Sequence, residues 1–103
     1  MSEDSMKALA SQLRRPQGKH GREIGDMMHE SNIGMTRHSI ACLEPAPGDR
    51  ILELGHGNGG HIAGLFRDHR QVTYHGLDIS TLMHDEAVRI NQPLVDSRQA
   101  RFY

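Results

Sequence analysis

Apolar residues recur at helical spacing over the first third of the chain, then change from Arg50 onward to short apolar runs bounded by glycine. Met6, Leu9, Ala10 and Leu13 follow Asp4 and Ser5, either of which can cap, so residues 5–14 are expected to form an amphipathic helix that Pro16 and Gly18 end. Ile24, Met27 and Met28 repeat the spacing in a second segment expected to break near Ser31 and Asn32. Thr36, Ile40 and Leu43 mark a third, before the turn Pro45-Ala-Pro-Gly-Asp49. Ile51, Leu52 and Leu54 then predict a strand, and Ile62, Leu65 and Phe66 a helix behind a run of glycines. Val72 to Leu77 is a second strand closed by Asp78. Ser80 is placed to cap the next helix, whose buried stripe is Met83, Ala87 and Ile90, with Asp85 and Arg89 expected to pair one turn apart and Pro93 to stop it. Ala100 to Tyr103 opens a third strand. Strand, helix, strand, helix, strand in this order implies a parallel sheet with right-handed crossovers. The expected fold is α/β: helices over residues 1–44 and a parallel sheet with crossover helices over residues 45–103.

Composition narrows the picture. A chain of 103 residues suits one domain with a modest core. With no Trp, two Tyr and two Phe, that core must rest on Leu, Ile, Met and Val. A formal charge of −1 gives no electrostatic case for nucleic acid or an anionic membrane as main partner. No apolar run approaches the length of a membrane span, and the acidic start Met-Ser-Glu-Asp-Ser is unlike a secretory leader. Cys42 is the only cysteine, so no disulfide can form within the chain; a buried thiol in a reducing cytoplasmic setting is expected.

The chemistry concentrates in Glu53-Leu-Gly-His-Gly-Asn-Gly-Gly60. A strand that empties into a glycine-rich turn and then a helix lets a ligand approach backbone closely. Gly55, Gly57 and Gly60 satisfy the spacing of a dinucleotide fingerprint, and Asp78 stands 18 residues beyond Gly60, where an acidic residue can meet a ribose hydroxyl. The plainer alternative is a tight connection with Asp78 as a helix cap. Glu53 separates the cofactor classes. A carboxylate at the mouth of the turn repels a pyrophosphate by on the order of a few kcal/mol in a partly desolvated cleft, which argues against NAD or FAD. It suits a ligand with an ammonium group, a cationic sulfonium and no phosphate, such as S-adenosyl-L-methionine.

The run Arg50-Ile-Leu-Glu-Leu-Gly-His-Gly-Asn-Gly-Gly60, followed by Tyr74-His-Gly-Leu-Asp-Ile-Ser80, resembles the class I S-adenosylmethionine-dependent methyltransferases, in particular the small-molecule enzymes related to the quinone-biosynthesis methyltransferases. The resemblance covers about residues 20–103. It implies that Glu53 is the acidic end of the first strand, that Gly55, Gly57 and Gly59 bring backbone against the methionine and ribose portions, and that Asp78 holds the ribose hydroxyls. It further implies that Ile79 lies against adenine, that His56 and Asn58 line the loop, and that the helical segment around Met27 to Met35 closes over the cofactor. The fold it implies is a helical N-terminal cap over residues 1–44 and a Rossmann-like parallel sheet over residues 45–103, truncated after about three strands; the family continues through further strands and a substrate pocket, so the chain is expected to be an N-terminal fragment. Its substrate would be a small-molecule methyl acceptor of unidentified kind, and the catalytic residues are unknown. In the family the first strand is central, so the open edge of Ile51 to Leu54 is expected to drive self-association. A non-catalytic or truncated cofactor-binding module is the alternative, with an NAD- or FAD-binding enzyme behind it.

Other residues carry weaker signals. Among eight histidines, none pairs at His-x-x-x-His on a predicted helix face, and no metal is expected; His56 and His61, flanking the glycine turn, come nearest to a shared point. Asp26, His29 and Glu30 are expected on a solvated helix face, and Met27 and Met28 as gap-filling core.

Overall fold

The computed structural model describes residues 2–103. Helix α1 (Glu3–Arg14) starts two residues earlier than its apolar pattern indicates, because the Ser2 hydroxyl accepts the Ser5 N–H at 3.1 Å and serves as the cap in place of Asp4 or Ser5. Helix α2 (Gly18–Leu43) runs unbroken through Ser31 and Asn32, so the expected second and third segments are one helix of 26 residues. Ser and Asn lower helix propensity by only about 0.5 kcal/mol each. The less exposed positions Ile24, Met28, Ile33, Thr36 and Ile40 recur at mostly three- and four-residue spacing across them, so one packed stripe holds the helix together. It ends at Glu44, which turns left-handed at φ 48° ahead of Pro45.

The straight helix also decides where Cys42 lies. Two residues beyond the inward Ile40, at about 100° per residue, Cys42 points away from the sheet. Its thiol is exposed, 3.6 Å from His38 Nε2, and is not the buried group expected from its apolar neighbours.

Strands β1 (Arg50–Leu54), β2 (Thr73–Leu77) and β3 (Ala100–Phe102) form one parallel sheet in the order β1-β2-β3. Helix α3 (Ile62–Asp68) connects the first pair, and α4 (Thr81–Ile90) with the short α5 (Gln92–Asp96) the second. Pro93 both stops α4 and supplies an early position of α5, where its missing N–H costs nothing. Arg89 pairs with Glu86 at 2.6 Å instead of Asp85, and Asp85 meets His84 at 3.1 Å. Glu86 wins because it faces α2, where Arg22 reaches it at 3.2 Å, so one carboxylate joins two guanidinium groups.

Strand alternation sorts the sheet into two faces. Ile51, Glu53, Tyr74, Gly76, Ala100 and Phe102 share the face that meets the core of Ile62, Leu65, Phe66, Val72, Tyr74 and Ala100. Leu52, Leu54 and Leu77 point to the opposite face and remain exposed, Leu52 and Leu54 at 66% and 71%. Helix α2 lies close to α4 because two glycines permit it. A Cβ on Gly21 would sit 3.0 Å from the Leu82 side chain, and one on Gly25 2.8 Å from the Met83 side chain. The Ser80 hydroxyl, fully buried, donates to the Pro16 carbonyl at 2.5 Å and accepts the Met83 N–H at 3.2 Å, tying the α1–α2 turn to the start of α4.

Candidate functional site

At the carboxyl ends of β1 and β2 the chain makes the glycine turn, and the three glycines at positive φ divide in role. Gly55, Gly57 and Gly59 adopt φ of 76°, 61° and 74°. A Cβ on Gly55 or Gly57 would meet no atom within 4 Å, so these two leave backbone bare to open space. A Cβ on Gly59 would lie 2.9 Å from Asn91 Nδ2 and 3.0 Å from Ala87, so its missing side chain lets the loop seat on α4. Asn91 donates to the Gly59 carbonyl at 3.0 Å and closes that contact. Gly60 performs the same service for α2, since its Cβ would strike the His29 ring at 2.8 Å.

Asp78 pins the turn from the neighbouring strand. Its Oδ2 accepts the Gly57 N–H at 3.0 Å and its Oδ1 the Ser80 N–H at 2.8 Å. It therefore caps the approach to α4 and holds the loop at once, and each carboxylate oxygen keeps a further lone pair for another donor. Gly55 N–H donates to the Leu77 carbonyl at 2.7 Å, extending the parallel ladder one residue into the loop. Ile79, beside Asp78, is 67% exposed at the open end of the sheet.

Glu53 is fixed by His61 and Tyr74, to neither of which the sequence assigned this role. Its Oε1 accepts from His61 Nε2 at 2.6 Å and from the Tyr74 hydroxyl at 2.5 Å. Burial by itself raises this carboxyl's pKa; the hydrogen bond and charge of His61, and the Tyr74 hydroxyl, outweigh it and hold the pKa below the ordinary value. Burial, then the charge of Glu53, pushes the Tyr74 phenol well up, so it stays a proton donor to Glu53. Tyr74 heads the second run that carries the resemblance but has no role assigned there; the readable signal is its register, opposite Ile51 and on the Glu53 face. Among the described residues, only Oε1 of Glu53 is engaged.

His56 faces inward. Its Nδ1 donates to the Gly57 carbonyl at 2.7 Å, its ring meets Phe102 edge-on at 5.1 Å, and only 4% of it is exposed. Burial, opposed by the Gly57 bond and by the charges of Asp78 and Glu53, lowers its pKa, so it is the neutral imidazole. Its Nε2 is buried without a partner. His61 turns to Glu53 instead of joining His56, and no group of His, Cys, Asp or Glu suited to a metal occurs among the described residues.

Helix α2 roofs this arrangement. Asn58 accepts the Gly60 N–H at 2.9 Å through Oδ1 and donates to Asp26 at 3.1 Å through Nδ2, so Asp26 is a loop anchor rather than part of a solvated face. His29 packs over Gly60, while Glu30 is exposed as expected. A cavity of about 140 Å³ lies between α2 and the loop, bounded by Met28, Asn32, Thr36, Glu53, Gly55 and Gly57. Ligand pockets usually span roughly 300–1,000 Å³, so this one has room for only part of a ligand of that size.

No protein-family model and no curated protein matches the sequence. Solved structures do. The S-adenosylmethionine-dependent methyltransferase of Geobacter sulfurreducens, determined with S-adenosyl-L-homocysteine, is 30% identical over 65% of this chain at a TM-score of 0.52. The corresponding enzyme of Thiobacillus denitrificans, also with S-adenosyl-L-homocysteine, is 31% identical, and YjhP of E. coli 34%, each at the same coverage and TM-score. The chain spans about a quarter of their lengths, 26% to 27%. Its fold is thus the Rossmann-like α/β fold of S-adenosylmethionine-dependent methyltransferases, as the glycine run and Asp78 imply.

Proposed function

We propose that the cleft between α2 and the glycine turn binds S-adenosyl-L-methionine, and that the chain carries the cofactor-binding part of a methyltransferase acting on a small molecule. The observation that carries this reading is the pairing of bare backbone at Gly55 and Gly57 with two carboxylates at adjacent strand ends. Asp78 would receive the ribose hydroxyls on its remaining lone pairs. The free oxygen of Glu53 would meet the ammonium charge, and Ile79 offers an exposed apolar surface to the adenine. His56 and Asn58 also line this cavity, and their hydrogen bonds hold the loop in shape beside the ligand. The resemblance to methyltransferases determined with S-adenosyl-L-homocysteine supports the same cofactor.

The bound cofactor supplies an activated methyl group on a cationic sulfur. The protein's share is alignment of donor and acceptor, which can lower a barrier by several kcal/mol without acid or base help. A net charge of −1 supports a small molecule rather than nucleic acid as acceptor. No helix among the described residues is long and apolar enough to cross a membrane. The unpaired, exposed Cys42 thiol supports a reducing cytoplasm as the place of work.

Calorimetry with S-adenosyl-L-homocysteine and with NAD tests the reading. Binding of the first and none of the second is expected; preference for NAD refutes it.

A further inference from the structure

Side chains hold Gly57 at both ends. Asp78 Oδ2 accepts its N–H at 3.0 Å, and its carbonyl accepts from His56 Nδ1 at 2.7 Å. A carbonyl cannot donate, so the proton of the neutral ring sits on Nδ1 and Nε2 carries the lone pair. That Nε2 is enclosed by the described residues and has no hydrogen-bond partner among them. Gly76 makes room for the ring, since a Cβ there would lie 2.8 Å from its Cδ2, and Phe102 closes the seat edge-on. The backbone carbonyl of His56 accepts the Gly59 N–H at 3.3 Å, so a movement of His56 is felt at Gly57 and Gly59 together.

We propose that His56 couples ligand binding to proton uptake: it positions the Gly57 backbone only as the neutral ring, and a proton taken from solvent opens the cradle. The inference rests on the reading that this cleft holds S-adenosyl-L-methionine. A proton on Nε2 makes a second N–H donor in a closed seat that offers it no acceptor, and a buried donor left unpaired is unfavourable. The ring therefore leaves, and the Gly57 carbonyl loses the bond that fixes it. The charged groups around the ring do not reverse this. Glu53 of β1 and Asp78 beyond β2 favour the cation, but Glu53 is engaged by His61 and Tyr74, Asp78 by two backbone N–H groups, and the charge of His61 opposes the cation. Burial, the largest influence, keeps the ring's pKa below the ordinary 6.5. Helix α2 sets His29 across the small cavity and ties Asp26 to Asn58. Helix α4 sets His84 against the Phe102 carbonyl at 3.2 Å, and β3 presents the apolar Phe102 ring. The α-carboxyl and α-amino groups of the ligand titrate outside the interval from about pH 4.5 to 6.5, so that interval reports the protein.

Calorimetry of the full chain with S-adenosyl-L-homocysteine from about pH 7.5 to about pH 5 tests this, with circular dichroism reporting the fold at each point. Affinity is expected to be flat at the upper end and to fall toward about tenfold per pH unit once the ring titrates, the limit for one linked proton. At the acidic end the binding enthalpy should vary with the ionisation enthalpy of the buffer, as up to about one proton is released per ligand bound. His56→Asn keeps an amide donor near the Nδ1 position and does not titrate. It should bind within a few-fold of wild type at about pH 7.5 and lose both the slope and the buffer dependence, whereas His56→Leu, without a donor, should bind about tenfold more weakly there. Imidazole nitrogen chemical shifts of the wild-type chain read the same event without a substitution: the Nδ1–H tautomer is expected near neutral pH, giving way to the cation at a lower pH when ligand is bound. Wild-type affinity that ignores pH, an Nε2–H tautomer, or a slope unchanged in His56→Asn overturns the inference and leaves the cofactor reading intact. No binding of S-adenosyl-L-homocysteine at any pH overturns the cofactor reading and the inference with it.

Discussion

Replacing Gly57 and Gly59 singly by alanine separates a glycine kept for a ligand from one kept for packing. Both residues sit at positive φ, so each substitution carries the left-handed penalty of about 1–2 kcal/mol. For Gly57→Ala that is the whole folding cost, since the new methyl meets no atom within 4 Å. For Gly59→Ala the methyl arrives 2.9 Å from Asn91 Nδ2 and 3.0 Å from the Ala87 methyl, on a helix that cannot yield locally. Overpacking adds about 1–3 kcal/mol, and displacement of Asn91 forfeits its bond to the Gly59 carbonyl, worth about 1 kcal/mol. Gly59→Ala should therefore be less stable than Gly57→Ala by at least about 2 kcal/mol, or at least about 8–16 °C in Tm for a chain of this size. Ligand binding should rank the opposite way. Gly57→Ala places its methyl in the cleft and should weaken S-adenosyl-L-homocysteine at least about tenfold with the protein folded, about 1.4 kcal/mol. Gly59→Ala, measured where it is still folded, should bind within a few-fold of wild type. Urea melts followed by circular dichroism, with calorimetry on the same samples, give both rankings. Equal destabilisation by the two substitutions, or unimpaired binding by Gly57→Ala, refutes the division of roles.

Asp78→Ala removes the acceptor for the Gly57 and Ser80 N–H groups as well as the proposed ribose contact, so it should cost about 1–3 kcal/mol of stability and about 1.5–3 kcal/mol of cofactor affinity; a variant altered in neither respect discounts the carboxylate. Glu53→Gln should weaken S-adenosyl-L-methionine with little gain for NAD, measured by calorimetry, and a clear gain for NAD without loss of the first points to a dinucleotide site. Stability should also fall in two stages on acidification. The folded pKa of His56 lies below the ordinary 6.5, so as pH drops through about 6.5 the unfolded chain binds a proton that the buried ring refuses, and stability falls. The folded pKa of Glu53 lies below the ordinary 4.5, so its contribution, complete above about 4.5, is lost as pH falls further. Thermal melts from pH 8 to 4 should show the first stage weakened in His56→Phe, and an unchanged slope there dissociates the stage from this ring.

Much of the architecture was legible in the chain because it depends on local chemistry. Three strands, the helices after them, the parallel order and the position of the glycine turn follow from apolar runs, capping Ser80 and residues that permit positive φ. Asp78 at the end of β2 was readable for the same reason: spacing along a strand and its turn fixes the place of a side chain. Tertiary packing decided the rest. Nothing local distinguishes Gly59 from Gly57, since both adopt the same backbone region, and only the arrival of Asn91 and Ala87 makes one a packing glycine. The continuity of α2 through Ser31 and Asn32 depends on contacts that offset a small propensity deficit, and that continuity in turn exposes Cys42 and brings Asp26 to Asn58. The ties of Glu53 to His61 and Tyr74 join residues 8 and 21 positions apart, and they exist because parallel pairing puts Tyr74 on the Glu53 face while the loop returns His61 to it. Sequence sets which conformations each residue tolerates; which side chain shares a carboxylate is settled by the register of the sheet and the helix laid across it.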